Sequence, residues 1–310
     1  MKIIVTGGTG LLGSEFRSLD STAMLIGSKD LDLLKPKDVM NFFLNKKEEG
    51  YDTIIHCAAK VGGLGANINS PVDFFNENVK LNLNVLEAAH ASNMKLVSIL
   101  STCIYPDEKF IKYPLTEDQL HLGPPHSSNY GYAYAKRMLE VQTRAYRQQF
   151  NSNFVSVISN NLYGNNDNYN LNSSHVIPAL IRKFHDAVLR NENEVKLWGT
   201  GRPLREFTLA SDAAKIVLWV AKNYNDSLPI NIGNNEQISI EKLAILVANE
   251  IGYNGKISFN DEYPDGQFEK PSSNKLLRTL GCDVQYTSLF QGIKETVKFF
   301  KENHSSLKRI

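Results

Sequence analysis

Apolar residues in this chain fall into short, mostly β-branched runs that alternate with longer stretches of helical period. Ile3-Ile4-Val5 opens the series, and strand candidates follow at about Ala23–Ile26, Thr53–His56, Lys95–Leu100 and Asn153–Ser159. Between them the helical pattern covers about Pro36–Asn45, Phe74–Ser92 and Tyr132–Gln149, the last preceded by Ser127, Ser128 and Asn129 as candidate caps. Strand and helix in regular turn predict an α/β protein: a doubly wound parallel sheet with right-handed crossovers and helices on both faces. In such sheets a ligand lies beyond the carboxyl ends of the strands. Gly7, Ala58, Ser101 and Asn160 all fall at such ends, so sites found separately converge on one crevice.

Composition narrows the reading. At 310 residues the chain suffices for one large α/β domain with a smaller appended unit, or for two ordinary domains. Its 34 Lys and Arg nearly balance 33 Asp and Glu, and no basic run stands out, which argues against a nucleic-acid surface or a polybasic membrane patch. Met1-Lys2-Ile3-Ile4-Val5 leads straight into a glycine turn, leaving no room for a signal peptide, and no apolar segment is long enough to span a bilayer. Cys57, Cys103 and Cys282 are scattered and odd in number, without metal-ligand spacing or a disulfide framework. A cytoplasmic protein without a metal is the expectation.

The first strand is followed by Thr6-Gly7-Gly8-Thr9-Gly10-Leu11-Leu12-Gly13. Glycines at 7, 10 and 13 permit a tight strand-to-helix turn, close approach of backbone to a pyrophosphate, and close packing of helix on sheet. The helix start at Leu11 and Leu12 then offers N–H groups and a positive dipole to phosphates. A dinucleotide is the expected occupant. An acid at the end of the second strand would bind the 2′-OH of NAD, but that place reads Ile26-Gly27-Ser28-Lys29, with Asp30 arriving late. A hydroxyl at Ser28 and an ammonium at Lys29 suit a 2′-phosphate better, so NADPH is the expected cofactor.

Tyr132 and Lys136 stand four apart at the opening of a long helical pattern and therefore share a helix face. A nearby cation stabilises phenolate, so Lys136 is expected to lower the pKa of Tyr132 and make it a proton donor near neutral pH. Ser101, at the end of an apolar run, supplies a second hydrogen bond to the same substrate oxygen. Protonating an oxygen while its carbon accepts a hydride is what carbonyl reduction requires. Tyr105 and Lys109 have the same spacing, but Pro106 follows the tyrosine and Asp107-Glu108 reads as a turn, so no helix aligns that pair.

Together these residues resemble the extended short-chain dehydrogenase/reductases, and within them the GDP-L-fucose synthases. The likeness runs over most of the chain. Ala58-Ala59-Lys60-Val61-Gly62-Gly63 resembles the family's cofactor-side loop, and Ser101-Thr102-Cys103-Ile104-Tyr105-Pro106 its catalytic strand end. Asn161-Leu162-Tyr163-Gly164 matches the segment after the fifth strand. Ser174-His175-Val176-Ile177-Pro178-Ala179-Leu180 and the stretch from Trp198-Gly199 to Arg205-Glu206-Phe207 resemble the substrate-binding part. The resemblance implies a Rossmann domain over 1–162 and about 207–231, with a smaller C-terminal α/β substrate domain over about 163–206 and 232–310. It implies NADPH-dependent reduction at C4 of a GDP-4-keto-6-deoxy-sugar after epimerisation at C3 and C5. Ser101, Tyr132 and Lys136 would be the reduction trio, Cys103 the base beside the ketone, and His175 the acid on the opposite face. The ketone acidifies the hydrogens on its neighbouring carbons, and inversion needs proton exchange from two sides. Gly7, Gly10, Leu11, Leu12, Gly13, Ser28, Lys29, Ala58, Ala59, Lys60, Tyr132, Lys136, Asn161 and His175 would contact the cofactor. Lys183, Trp198, Arg205 and Lys270 would contact the substrate, Lys183 and Arg205 at its diphosphate. A homodimer through Phe74–Ser92 and Tyr132–Gln149 is likewise implied, as is a role in activated deoxy-sugar supply.

Two stretches depart from that pattern. Where an acid pair usually follows the Arg205-Glu206-Phe207 motif, the chain reads Thr208-Leu209-Ala210-Ser211-Asp212 and keeps only Asp212. Beyond Pro264-Asp265-Gly266, residues Gln267-Phe268-Glu269-Lys270-Pro271-Ser272-Ser273 lack the usual threonine and later acid. Sugar identity, hexose or longer chain, therefore stays open, as does whether epimerisation is retained. Dehydration is disfavoured because Thr102 precedes Cys103-Ile104 rather than an acid pair. An NAD-holding nucleotide-sugar 4-epimerase is the nearest enzymatic rival. An NADP-sensing regulator, which has no use for the Tyr132, Lys136 and Ser101 trio, is the non-enzymatic one.

Overall fold

The computed structural model describes residues 1–263 and 265–307. Pro264 of the Pro264-Asp265-Gly266 turn and residues 308–310 lie outside the described residues. Strands β1 (Ile3–Thr6), β2 (Met24–Ile26), β3 (Thr53–His56), β4 (Lys95–Ser101) and β5 (Phe154–Ser159) each begin and end within a residue of the apolar runs that predict them. Helices α1 (Leu11–Leu19), α2 (Pro36–Glu48), α3 (Leu64–Asn69), α4 (Pro71–Ala91) and α5 (Tyr130–Phe150) connect them. Helix α4 starts three residues earlier than expected because Pro71 fits the first helical turn, where its missing N–H has no partner to lose. Helix α5 also starts early, at Tyr130. Ser127–Asn129 forms a tight 3₁₀ turn ahead of it, in which His126 Nδ1 accepts the Ser128 N–H at 3.2 Å.

Further along lie β6 (Asn161–Tyr163), α6 (Val176–Leu189), β7 (Glu194–Trp198), β8 (Leu204–Leu209), α7 (Ala210–Asn223), β9 (Ile230–Asn231), β10 (Gln237–Ser239), α8 (Ile240–Ile251), β11 (Lys256–Asn260), α9 (Lys275–Thr279) and α10 (Leu289–Asn303). The main sheet runs β2-β1-β3-β4-β5-β9, with every pair parallel. Strands β1, β3 and β5 are buried along their whole length, as continuous apolar runs in a two-faced sheet require. Ile4, Ile54, Leu96 and Phe154 pack on one face with α2, α4 and α5, while Val5, Ile55, Val97 and Val155 pack on the other with α1 and α7. A separate core, including Ile181, Phe184, Val247 and Phe300, joins α6, α8 and α10.

Strand order reverses between β1 and β3, and a crevice opens at that switch point beyond the strand ends. At Asn160 the chain leaves the main sheet and continues as β6 in a second sheet, β10-β8-β6. That step brings the second core up against the crevice. Tyr105 and Lys109 share no helix: Tyr105 is buried, with its hydroxyl donating to Asn231 Oδ1 at 2.9 Å.

Candidate active site

Thr6, Gly7, Gly10, Leu11, Leu12 and Gly13 form the floor of a cleft of about 750 Å³. Gly7 has φ +68°, and a Cβ at Gly13 would stand 2.3 Å from Gly7 O. The turn is therefore as tight as glycine allows. Gly10 is the N-cap of α1; it makes no side-chain cap bond, and no acid sits in the first turn. Such a helix start presents N–H donors and positive dipole to an anion, so the cleft fits a dinucleotide diphosphate. Ser28, Ala58, Ala59, Lys60, Asn161 and His175 line the same cleft. Lys29 does not. It is exposed on the turn after β2, whose shape is set by Asp30 Oδ2 accepting the Gly27 N–H at 2.7 Å. The acid lining the cleft there is Asp32.

Ser101, Cys103, Tyr132 and Lys136 face this cleft from two elements, the end of β4 and the start of α5. A Cβ at Gly131 would meet Pro71 O at 2.5 Å, so α5 starts in direct contact with the start of α4. Phe74 of α4 then packs edge-on against the Tyr132 ring, 6.5 Å between centroids. Ser101 Oγ accepts the Cys103 N–H at 3.4 Å and the Cys103 thiol at 3.1 Å, which fixes both side chains on one short turn.

The electrostatics differ from the simple expectation. Lys136 Nζ donates to Ile99 O at 2.8 Å rather than acting chiefly on the phenol. Burial, with Cys103 adding to it, pushes the Tyr132 hydroxyl above the ordinary tyrosine value. Burial likewise brings Lys136 down to about 8. Desolvation dominates both groups here, and the Lys136 ammonium is engaged by a backbone carbonyl of β4.

Cys57 also lines the cleft, but burial holds it as a thiol, pushed up to about 12. His175 stands at the exposed N-terminal end of α6, while the surrounding cleft walls remove enough water to push its pKa below the usual histidine value. Lys270 lines the same cleft. The other three expected substrate contacts gather next door. Trp198 and Arg205 line an adjoining pocket of about 220 Å³ with Asp265, and this pocket shares Leu64 and Asn161 with the main cleft. Trp198 stacks flat on Tyr263 at 4.5 Å, and Lys183 Nζ lies 5.7 Å from the Trp198 ring centre. Arg205 donates to Leu204 O at 2.7 Å and Phe268 O at 3.1 Å.

Residues 3–233 match the NAD dependent epimerase/dehydratase family. A GDP-L-fucose synthase of Dictyostelium discoideum is 39% identical over 317 residues, spanning 99% of this chain and 97% of that protein. The chain belongs to this family, within its GDP-L-fucose synthase branch. A GDP-L-fucose synthetase from Naegleria fowleri bound to NADP superposes with TM-score 0.88 at 38% identity, covering 99% of this chain and 94% of that one. A GDP-6-OMe-4-keto-L-xylo-heptose reductase from C. jejuni reaches TM-score 0.88 at 27% identity, covering 97% of each chain.

Several residues of this family member act on the site from behind, where sequence spacing offers no sign of them. Arg137 Nε donates to Ile104 O at 2.9 Å and Arg137 Nη1 to Gly123 O at 2.8 Å, clasping α5 to the turn that carries Ser101 and Cys103. His56, buried at the end of β3, bonds Thr6 Oγ1 at 2.7 Å and Asn82 Oδ1 at 3.0 Å, tying β1, β3 and α4 together beneath the cleft. Adjacency to Lys136 was the only sequence hint for Arg137. Elsewhere, His185, Asp186 and His304 bring ligand atoms within 4.8 Å of one another. Arg182 Nε already pairs with that carboxylate at 2.8 Å, and none of the three lines the cleft.

Proposed function

We propose that the protein reduces a GDP-4-keto-6-deoxy-sugar at C4 with NADPH, after inverting C3 and C5 in the same cleft. One observation carries the reading: Ser101, Cys103, Tyr132, Lys136 and His175 line the dinucleotide-sized cleft together, with the two strand-end groups 3.1 Å apart. A nicotinamide cofactor held there supplies the hydride for C4. Cys103 takes a proton from the carbon beside the ketone, and His175 returns one from the opposite side. Ser101 and Tyr132 hydrogen-bond the C4 oxygen while charge develops on it, and Tyr132 gives it a proton as the hydride arrives. Lys136 adds a cation to the wall of the same cleft. The NADP in the Naegleria fowleri relative and the hydroxyl at Ser28 support NADPH as the cofactor. Trp198 and Arg205 give the adjoining pocket an aromatic face and a cation, and Lys183 stands by the Trp198 ring, a set suited to a nucleoside diphosphate.

The main sheet with its two-faced core is the cofactor domain, and the α6-α8-α10 core belongs to the sugar domain. Exposed apolar side chains on α4 and α5, among them Val72, Leu83, Met138 and Val141, support a homodimer through these helices. No helix among the described residues is long and apolar enough to cross a membrane, in keeping with a cytoplasmic enzyme. The test is direct: protein, NADPH and GDP-4-keto-6-deoxymannose are mixed and the fall in NADPH absorbance is followed. Stoichiometric oxidation with inverted C3 and C5 in the product is expected. Conversion without NADPH consumption would mark an epimerase that works at C3 and C5 without reducing C4, interconversion of 4-hydroxy GDP-sugars would mark a 4-epimerase, and no conversion with any GDP-keto-sugar would refute the reading.

A further inference from the structure

We propose that Glu206 is a positioning residue for the sugar: its buried carboxylate clamps Ser272 and thereby sets where a strap, residues 268–273, walls the cleft. The inference rests on the reductase reading above. Glu206 lines neither the cleft nor the adjoining pocket, whereas its neighbour on β8, Arg205, lines the pocket. Successive strand residues point to opposite faces, so Glu206 is turned away from the substrate and acts through what it holds. Lys270 is the strap residue in the cleft wall.

Both Glu206 carboxylate oxygens accept the Ser272 N–H at 3.1 Å, and Oε2 also accepts the Ser272 hydroxyl at 2.7 Å. Asn160 Nδ2 donates to the same Oε2 at 3.4 Å and to Asn234 O at 2.8 Å, while Asn160 Oδ1 accepts the Thr208 hydroxyl at 2.7 Å. Gly233 makes room for that amide, since a Cβ there would stand 2.4 Å from Asn160 Nδ2. Asn160 lines the cleft where the chain passes from the main sheet to the second. The clamp therefore couples the strap to the frame on which the site is built. Glu206 and Ser272 are each 3% exposed, which shelters these bonds from water.

Around the clamp the strap is held by main-chain carbonyls. Leu204 N–H donates to Phe268 O at 2.9 Å, Tyr113 Oη to Glu269 O at 2.7 Å, and Leu115 N–H to Pro271 O at 2.7 Å. The backbone is thus fixed on both sides of Lys270. A carboxylate is an expensive choice for the last tie, because burial pushes the Glu206 carboxyl above its usual value against the pull of its Ser272 bonds. A neutral side chain would join two segments at less cost in stability. Accepting from both the N–H and the hydroxyl of one residue fixes the place and the rotation of Ser272 together, two residues on from Lys270.

Amide deuterium exchange, read by mass spectrometry on the peptide spanning residues 268–273, reports the clamp without any sugar present. Glu206→Ala should speed it at least about tenfold, because the Ser272 N–H loses its buried acceptor, while peptides from β1 and α5 exchange as in the wild type. Ser272→Ala removes only the hydroxyl and should move the same peptide alone, by less. In initial rates of NADPH oxidation with GDP-4-keto-6-deoxymannose, both variants should raise KM more than they lower kcat, with NADPH affinity unchanged. Lys270→Met should raise KM in the wild-type background and add less than about twofold on top of Glu206→Ala, since the clamp acts through the placement of that lysine. Unchanged exchange at the strap in both variants overturns the proposal. So do KM effects of Glu206→Ala and Lys270→Met that multiply independently, or NADPH affinity that falls in step with KM, either of which would make Glu206 a general structural residue. Failure of the wild-type protein to oxidise NADPH with any GDP-keto-sugar strikes the reductase reading, and the exchange result still decides the clamp.

Discussion

Cys103 Sγ lies 3.1 Å from Ser101 Oγ, so the group that would take a carbon-bound proton touches one that would hold the ketone oxygen. On the proposed function, proton removal and oxygen stabilisation would share a single turn of three residues, and mutation would separate them. Cys103→Ser should slow deuterium uptake from solvent at C3 and C5 by about 10²–10⁴, the usual contribution of a positioned base. Reduction of a sugar already epimerised should be spared. Undiminished deuterium uptake would leave the cysteine a packing residue.

Tyr132→Phe removes the proton donor and keeps the ring that packs edge-on against Phe74. NADPH should bind as in the wild type, while kcat falls by about 10²–10⁴. Single-turnover absorbance with a pre-epimerised substrate reads the loss. A cofactor sensor would keep its response in this variant.

Much of this arrangement was legible in the sequence for a definite reason. Ile3-Ile4-Val5 and Thr53–His56 are runs buried on both faces, which only a parallel two-faced sheet accommodates, so strand ends and the crevice beyond them followed from local pattern. Tyr132 and Lys136 were visible because helical spacing is local. Their charge balance was not, since it depends on the Ile99 carbonyl that receives the ammonium and on the burial of both groups. Lys29 reads as a phosphate ligand from its place after β2, and it stands exposed on the turn that Asp30 closes, beside Ser28 in the cleft wall. The Glu206–Ser272 clamp joins residues 66 apart, and spacing carries no trace of such a contact.

Gly13→Ala should cost both fold and cofactor. Its Cβ would stand 2.3 Å from the Gly7 carbonyl oxygen and 2.9 Å from Gly8 Cα, backbone atoms that cannot swing aside. Overpacking of this kind destabilises by about 1–3 kcal/mol, and opening the turn displaces α1 from the diphosphate. Urea midpoints and NADPH titration should show the two losses together.

Met138→Glu and Val141→Glu place charge on the exposed face of α5, where these side chains are 38% and 45% accessible. If that face pairs with a second copy, either variant should elute at monomer size in dilute solution. In the monomer these positions are solvated, so melting should shift little apart from the dimer's own contribution. Unchanged elution at dimer size would move the interface elsewhere.

His56 provides a stability probe with a fixed sign. Burial, with the Lys136 charge as the next cause, holds its folded pKa at about 3, below the ordinary histidine value of 6.5. Below pH 6.5 the unfolded chain takes up a proton that the folded protein refuses until about pH 3. Stability is therefore full above 6.5 and is lost as pH falls through that window, by up to about 1.4 kcal/mol per pH unit. His56→Leu deletes this term, along with the bonds to Thr6 and Asn82, so the variant starts less stable at neutral pH. Its urea-derived stability should nevertheless fall less steeply than the wild type's between pH 6 and 4. Carboxylates titrate in both proteins and cancel in the comparison. Parallel slopes would mean that the imidazole already accepts a proton in the folded protein, with Asn82 and Thr6 turning to accommodate it.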